Sequence, residues 1–281
     1  MSADFLPELP SGFTLEREAR GALALRRSAA AELAESGFTL ASDGRGRTAE
    51  LKGRHAVVLL GPPGRELVVR RFTHGGLLRL LTGARFADPR RPFAELVMSE
   101  RLAAAGVRTP EVVAARARRA SAFGWELALV TRRVVGARDG GELLAAAACD
   151  ELPPGERASA CAAAGALVAR LHALGFLHAD LHPLNMLFAR DGNPWLLDLD
   201  RSRFESTLDS DTRARNLARL HRYVERRRAR GEFQLSRTDR ARFLCAYEPD
   251  RERRRAMLAA VAREFERTLR WHQLGWRLCG D

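Results

Sequence analysis

Residues 178–188 read HADLHPLNMLF, and residues 195–204 read WLLDLDRSRF. A His, an Asp and an Asn at positions 178, 180 and 185 sit among Leu, Met and Phe. A second acidic pair, Asp198 and Asp200, follows within twenty residues. The stretch before the first segment, RASACAAAGALVARLHALG (157–175), reads as a helix closed by Gly175. MLFAR, DGN and PWLLDLD then read as two short strands joined by a tight turn, a hairpin that returns Asp198 toward Asn185.

Outward from this segment the chain divides in character. Upstream, RTAEL, AVVLL, ELVVRRF, RTPEVVAARARR and WELALVTRRV are strand candidates, rich in β-branched residues and bounded by turn signals such as GPPG. PFAELVMSERLAAAG has apolar residues at helical spacing and a Pro at its start. Residues 15–35, LEREARGALALRRSAAAELAE, read as a helix. Downstream, residues 212–230, 235–248 and 251–275 read as helices. The expected class is α+β: a small antiparallel-sheet lobe (36–133) after an N-terminal helical extension (1–35), then a mostly helical lobe (134–281). The boundary between lobes falls near Thr131–Gly141.

The chain has 281 residues, enough for two lobes with good cores. No run of eighteen apolar residues suggests a membrane span. The N-terminus has no basic start followed by an apolar core, so a cytoplasmic protein is expected. Cys149, Cys161, Cys245 and Cys279 are widely separated and suggest neither a zinc site nor a disulfide framework. The net charge of +12 comes almost wholly from arginine, Lys52 being the one lysine. Such a surface favours anionic partners. A solvated arginine face is the alternative for any single cluster. No aromatic-basic motif accompanies the charge, and no nucleic-acid partner is expected.

The order of sheet with one helix, helical lobe, HxDxxxxN, hairpin and Asp has a logic in phosphoryl transfer. A carboxylate at Asp180 can orient an acceptor hydroxyl and take its proton. Asn185 and Asp198 can hold a magnesium ion against the phosphates of ATP. His178 would be structural, bonding the backbone around the second carboxylate. The alternative for all of these is a set of polar turn and capping residues. Such chemistry also needs a basic residue on the third strand and a helix Glu to position it. Arg70 fills the first place where Lys is usual, Lys52 lying too early in the chain. Glu95 fills the second, in competition with Glu100. For a loop covering the phosphates, Gly53 and Arg54 of KGRH are the candidates, with plain turn residues as the alternative.

The segments LHALGFLHADLHPLNMLF, PWLLDLDRSRF and NLARLHRYV together resemble the bacterial lipopolysaccharide kinases with a protein-kinase-like fold, and among them the 3-deoxy-D-manno-octulosonic acid (Kdo) kinases. ELVVRRFTHGGLLRLL and RPFAELVMSERLAAAGVRTPEVVAARA extend the resemblance, which covers roughly Lys52 to Tyr223. It implies transfer of the ATP γ-phosphate to a hydroxyl of Kdo on the lipid A precursor, an anionic glycolipid at the cytoplasmic membrane face. Arginines from Arg219 to Arg230 would then favour peripheral association with anionic membrane. Arg201 and Arg203 could meet an acidic sugar or phosphate, or pair with Asp200 or Asp198. Asp200 and Arg201 stand where ordinary protein kinases carry a Gly, and no APE sequence follows; both argue against a protein substrate. HADLHPLN also resembles the loop of aminoglycoside and choline phosphotransferases, the competing enzyme reading. A catalytically silent nucleotide-binding protein is a third.

Overall fold

The structure is a computed structural model that describes residues 6–49, 57–73, 85–120, 123–149, 151–189 and 191–278. It comprises two compact units, one of residues 1–135 with 199–201, the other of residues 136–198 with 202–281.

The first unit is built on a seven-stranded antiparallel sheet: β1 (Phe13–Glu18), β2 (Gly21–Arg26), β3 (Arg47–Ala49), β4 (Val57–Leu60), β5 (Leu67–Arg71), β6 (Val112–Arg119) and β7 (Trp125–Arg132), in the order β1-β2-β6-β7-β5-β4-β3. Side chains alternate between its faces. Ala22, Ala24, Leu127 and Leu129 go to one face, where they join Phe72, Phe86, Phe93 and Leu96. Leu23, Ala128 and Val130 go to the other, with Leu33, Phe38, Leu60 and Leu67. Helix Arg91–Ala104 covers the first face through Phe93 and Leu96, both fully buried. The second face carries helix α1 (Ala30–Ser36) and the turn after it. Arg116 fastens that turn, donating to the carbonyls of Thr39 and Ser42 at 2.8 Å each and pairing with Asp43.

The helix expected over residues 15–35 is therefore corrected. It is the β1–β2 hairpin, closed by Ala19–Arg20, then a 3₁₀ turn (Arg27–Ala29) and only seven helical residues in α1. The Ala, Leu, Glu and Arg content has helical propensity, but that term is a few tenths of a kcal/mol per residue. Pairing of β2 with β6 from Gly21↔Arg118 to Leu25↔Ala114 overrides it. Gly21 permits the pairing, since a Cβ there would lie 2.2 Å from the Ala117 carbonyl oxygen. The sheet thus has two strands more than the five expected.

The second unit is mostly helical: α3 (Gly140–Ala148), α4 (Pro154–Ala173), α5 (Ser210–Ala229), α6 (Arg237–Tyr247) and α7 (Arg251–Leu278), with α2 being the Arg91–Ala104 helix of the sheet unit. The expected hairpin forms, β10 (Met186–Phe188) pairing with β11 (Pro194–Leu196), after a two-residue strand β9 (Phe176–Leu177). A short strand, β8 (Arg138–Asp139), flanks β10 on its other side. α4 and α6 pack in close contact because Gly165 lets the Phe243 carbonyl approach to within 2.2 Å of where a Cβ would stand. Among the described residues no helix is long and apolar enough to cross a membrane.

The close backbone approach at Gly21 gives a test. Gly21→Ala should cost about 1–3 kcal/mol, the usual cost of forcing atoms into a filled site. Gly155→Ala, with nothing near its added Cβ, should leave stability unchanged or slightly raised. Urea unfolding of the two variants beside the parent protein makes the comparison.

Candidate active site

Buried His178 organises the 178–185 loop. Its Nε2 donates to the Leu197 carbonyl at 2.9 Å, and its Nδ1 accepts the Asp180 backbone N–H at 3.1 Å. One donated and one accepted bond require the neutral ring, and burial holds its pKa below the usual histidine value. The loop is braced from below by a second buried histidine. The Asn216 amide donates to the His178 carbonyl at 2.9 Å, and its Oδ1 takes the His172 Nε2–H at 3.1 Å. The Tyr247 hydroxyl completes the chain on His172 Nδ1 at 2.8 Å. Burial depresses the His172 pKa to about 4, so this ring is also neutral.

The loop turns Asp180 outward. Its backbone is fixed at both ends, the N–H on His178 and the carbonyl on the Asn185 Nδ2 at 2.9 Å, while its carboxylate is more than half exposed. Two side chains flank that carboxylate: His182 Nε2 lies 3.2 Å from Oδ2, and Arg219 Nη1 donates to Oδ1 at 3.1 Å. The His182 bond first, then the charges of His182 and Arg219, pull the Asp180 pKa down to about 2 against the opposing effect of burial. His182 is itself held by stacking on Tyr223, 4.5 Å between ring centroids.

Asn185 and Asp198 are joined through the hairpin. The Leu197 N–H donates to the Asn185 carbonyl at 2.9 Å, one residue beyond the last strand pair, Met186↔Leu196. Asn185 is buried, spends an amide hydrogen on Asp180, and leaves Oδ1 without a hydrogen-bond donor among the described residues. Asp198 is one of two non-glycine residues with positive φ among the described residues, at 55°. Left-handed backbone is tolerated by Asp better than by most residues, and such outliers persist where surrounding structure holds them. An amide oxygen and a carboxylate are hard oxygen donors, the chemistry a magnesium-like cation takes.

The sheet unit holds the second cluster. The Arg70 guanidinium pairs with Glu95, which is buried, and lies 4.6 Å over the Phe72 ring. The other Glu95 oxygen accepts the Leu199 N–H at 3.2 Å. One helical turn earlier, Arg91 grips Asp200, with one bond of 3.0 Å. Glu95 and Glu100 are thus separated: Glu100 pairs with Arg26. Arg71 is exposed and pairs with Asp43. Asp200 takes its partner from Arg91 rather than from Arg201 or Arg203. Arg203 bonds Glu205 at 2.8 Å, and Arg201 carries the other positive φ, 59°, where a glycine would sit without strain. Gly53 and Arg54 lie outside the described residues.

Sequence reasoning did not place His182 or the His172–Asn216–Tyr247 brace at the site, and it gave Arg219 to a membrane-facing run instead. His182 stands inside the quoted motif, two residues from Asp180, which was the available signal. Asn216, Arg219 and Tyr247 lie 31 or more residues from the motif's Asn and are joined to the loop only by folding; His172 lies on the helix before the motif and gains its meaning only from those partners.

A model of the lipopolysaccharide kinase (Kdo/WaaP) family matches residues 61–247. A 3-deoxy-D-manno-octulosonic acid kinase of Xanthomonas euvesicatoria pv. vesicatoria is 31% identical over 210 residues, 73% of this chain and 80% of that protein. A protein of the same description from Xanthomonas axonopodis pv. citri is also 31% identical over 210 residues. Among solved structures, WaaP in complex with acyl carrier protein superimposes with a TM-score of 0.53 at 22% identity, covering 79% of this chain and 88% of that one. At that identity the likeness carries the fold alone, and it agrees with the two-lobe α+β class.

Two outcomes follow from the geometry. Arg70→Ala should lower kcat/KM by at least about tenfold, the scale of one charged hydrogen bond, and Arg71→Ala by much less, because neighbours on a strand face opposite sides. Equal losses in steady-state kinetics would contradict the register of β5. The second concerns pH. The folded protein keeps His172 neutral down to about pH 4, whereas the unfolded chain takes up its proton below about 6.5. The contribution of this ring is therefore whole above pH 6.5 and is lost as pH falls toward 4, by up to about 3 kcal/mol. Urea unfolding across that window should show the loss, and a shallower slope for His172→Gln.

Proposed function

The chain belongs to the lipopolysaccharide kinase (Kdo/WaaP) family, and from that premise we propose an acceptor and a role for each residue of its site. It is an ATP-dependent phosphotransferase acting on a sugar hydroxyl of the lipopolysaccharide core. The acceptor we assign is Kdo on the lipid A precursor, the substrate class named for the relatives it matches at 31% identity.

One observation carries the assignment of roles. Asp180 has its backbone pinned on both sides and its carboxylate presented outward, in the same loop that leaves the Asn185 amide oxygen unused. Asp180 accepts a hydrogen bond from the acceptor hydroxyl, orients its oxygen for attack on the γ-phosphorus and receives its proton as the new P–O bond forms. His178 keeps that carboxylate in place through the Asp180 N–H. Asn185 Oδ1 and Asp198 would hold magnesium, which neutralises phosphate charge when bound. Arg70, positioned by Glu95, holds the α- and β-phosphates of ATP. Arg holds them as a planar fork where Lys would act as a point charge. Arg201 and Arg203 remain candidates for the acceptor's negative groups, with Arg203 needing release from Glu205. Gly53 and Arg54 keep the assignment of a phosphate-covering loop.

The acceptor is an anionic glycolipid, so the enzyme would work at an anionic membrane surface by reversible peripheral association. Each basic residue near such a surface contributes roughly 1 kcal/mol, screened by salt. Within the Arg219–Arg230 run, Arg227 is paired with Glu232 and Arg228 with Glu225, which leaves less free charge than the sequence alone suggests.

Incubation with labelled ATP, magnesium and Kdo–lipid A precursor, read by mass spectrometry of the lipid, tests the reading. One added phosphate is expected. Asp180→Ala should reduce transfer by roughly a thousandfold, toward the upper part of the general-base range, while ATP still binds. Asp198→Asn should weaken ATP binding only when magnesium is present. Phosphorylation of aminoglycosides or choline, with none on the lipid, would replace this reading by the small-molecule one.

A further inference from the structure

Helix α2 carries Arg91 and Glu95 four residues apart, the spacing of an ion pair within one helix. The structure gives them different partners. Arg91 Nε and Nη2 grip the two oxygens of Asp200, the first at 3.0 Å, and one Glu95 oxygen takes Arg70. The other Glu95 oxygen accepts the Leu199 N–H at 3.2 Å. A single ring serves both cations. The Arg70 guanidinium lies 4.6 Å over Phe72 and that of Arg91 lies 5.5 Å from the same ring, while Arg91 also lies 4.5 Å over Phe86. All of these residues, Leu199 and Asp200 included, belong to the sheet unit. Arg70, Glu95, Leu199, Asp200, Arg91 and Phe72 thus form a closed circuit of contacts. The Arg91 and Asp200 side chains are only 17% and 19% exposed, and Glu95 is buried. A guanidinium left there without its carboxylate is costly, and it turns to another carboxylate in reach. Asp88 lies within range of the Arg91 charge but is exposed and bonded to Arg90. Glu95, one helical turn from Arg91, is the buried one, and attraction is stronger where water is excluded.

We propose that Asp200 is a positioning residue for Arg70: by satisfying Arg91 it reserves Glu95 for the guanidinium that meets the nucleotide. The inference rests on the reading that Arg70 holds the ATP phosphates. Without Asp200, Arg91 turns to Glu95, and Arg70 loses the carboxylate that orients its fork. Phe72 keeps the two guanidiniums on separate carboxylates by offering each an attractive ring surface. Asp200 differs in this from Asp198, two residues earlier. Both its oxygens are spent on a guanidinium, and it acts without a metal. The arrangement makes the two members of the Arg91–Asp200 pair unequal. Loss of the carboxylate frees a competitor for Glu95, loss of the arginine frees none, and loss of both removes the competition.

Calorimetric titration of ADP into Asp200→Ala, Arg91→Gln and the Arg91→Gln/Asp200→Ala variant, each with magnesium and with EDTA, tests this. Asp200→Ala should weaken ADP binding by about tenfold or more, the scale of one charged hydrogen bond, in both solutions. Arg91→Gln should weaken it by much less. The double variant should recover most of the Asp200→Ala loss, because the competing cation is gone. Asp200→Asn keeps the volume and one oxygen for Arg91, and should fall between the parent and Asp200→Ala. A loss confined to the magnesium solution would make Asp200 a metal ligand and overturns the proposal. A double variant no better than Asp200→Ala also overturns it, since a pair that merely stabilises the fold gives that result. Crystal structures of the parent and of Asp200→Ala, both without nucleotide, read the exchange directly. Glu95 paired with Arg91 in the variant is expected; Glu95 still on Arg70 overturns the proposal. Unchanged ADP affinity in Arg70→Ala would take the phosphates away from Arg70, while Glu95 on Arg91 in the Asp200→Ala crystal would leave the partner exchange standing.

Discussion

Asp198 is flanked by two backbone groups, each bonded to a buried ionisable side chain. The carbonyl of Leu197 accepts from His178, and the N–H of Leu199 donates to Glu95. Between these anchors the backbone is left-handed, at φ 55°. A three-residue segment with both ends tied cannot relax to an extended strand without losing a bond to a buried partner, at about 1–3 kcal/mol each. The tied geometry therefore persists although it is sparsely populated in free chains. The same two anchors do further work. His178 uses its other nitrogen to hold Asp180, and Glu95 uses its other oxygen to hold Arg70. The residues proposed as base and metal ligands, Asp180, Asn185 and Asp198, share the helical unit, and those proposed for the phosphates, Arg70 and Glu95, share the sheet unit.

That economy explains which parts of the site were legible in the sequence. His178, Asp180, Asn185 and Asp198 lie within twenty-one residues, and their spacing is set by one loop and one hairpin. The turn signal DGN and the apolar strands around it make that local. Arg70 could be chosen over Arg71 only by counting along the strand, and Glu95 over Glu100 only by folding the helix onto the sheet. Glu100 is taken by Arg26, a residue of a strand that was read as helix. The misread segment and the open choice between glutamates share one cause, since both depend on where residues 13–26 pair. That pairing is a contact between residues about ninety positions apart, Gly21↔Arg118 among them. Local propensity has no access to it. The loss of α-helix there is not a failure of periodicity. Ala22, Leu23, Ala24 and Leu25 are apolar without interruption, as suits a strand covered on both faces, and such a run is ambiguous between helix and strand.

The basic composition acquires a definite meaning once partners are assigned. Many arginines are structural. Arg116 is buried and binds two carbonyls and Asp43, Arg132 spans Glu32 and Glu111, and Arg91 holds Asp200. Arginine suits these places because its fork satisfies several acceptors at once and it stacks on rings, as Arg91 does on Phe86 at 4.5 Å. Net charge therefore overstates the charge available to a ligand. Arg219, bonded to Asp180 at 3.1 Å, is the guanidinium that stands against the exposed carboxylate of the 178–185 loop.

A carboxylate whose pKa is drawn down to about 2 is a weak proton acceptor, which at first conflicts with the role proposed for Asp180 opposite an alcohol. The conflict dissolves in the character of the reaction. In a loose phosphoryl-transfer transition state the bond to the nucleophile is little formed, so the hydroxyl gains little acidity and gives up its proton late. What the early part of the path requires is an acceptor of a hydrogen bond in a fixed place. Low basicity is no handicap to that, provided the carboxylate stays ionised and does not rotate. His182 and Arg219 secure both, one on each oxygen, and the His178 bond to the Asp180 N–H fixes the backbone from which the side chain projects.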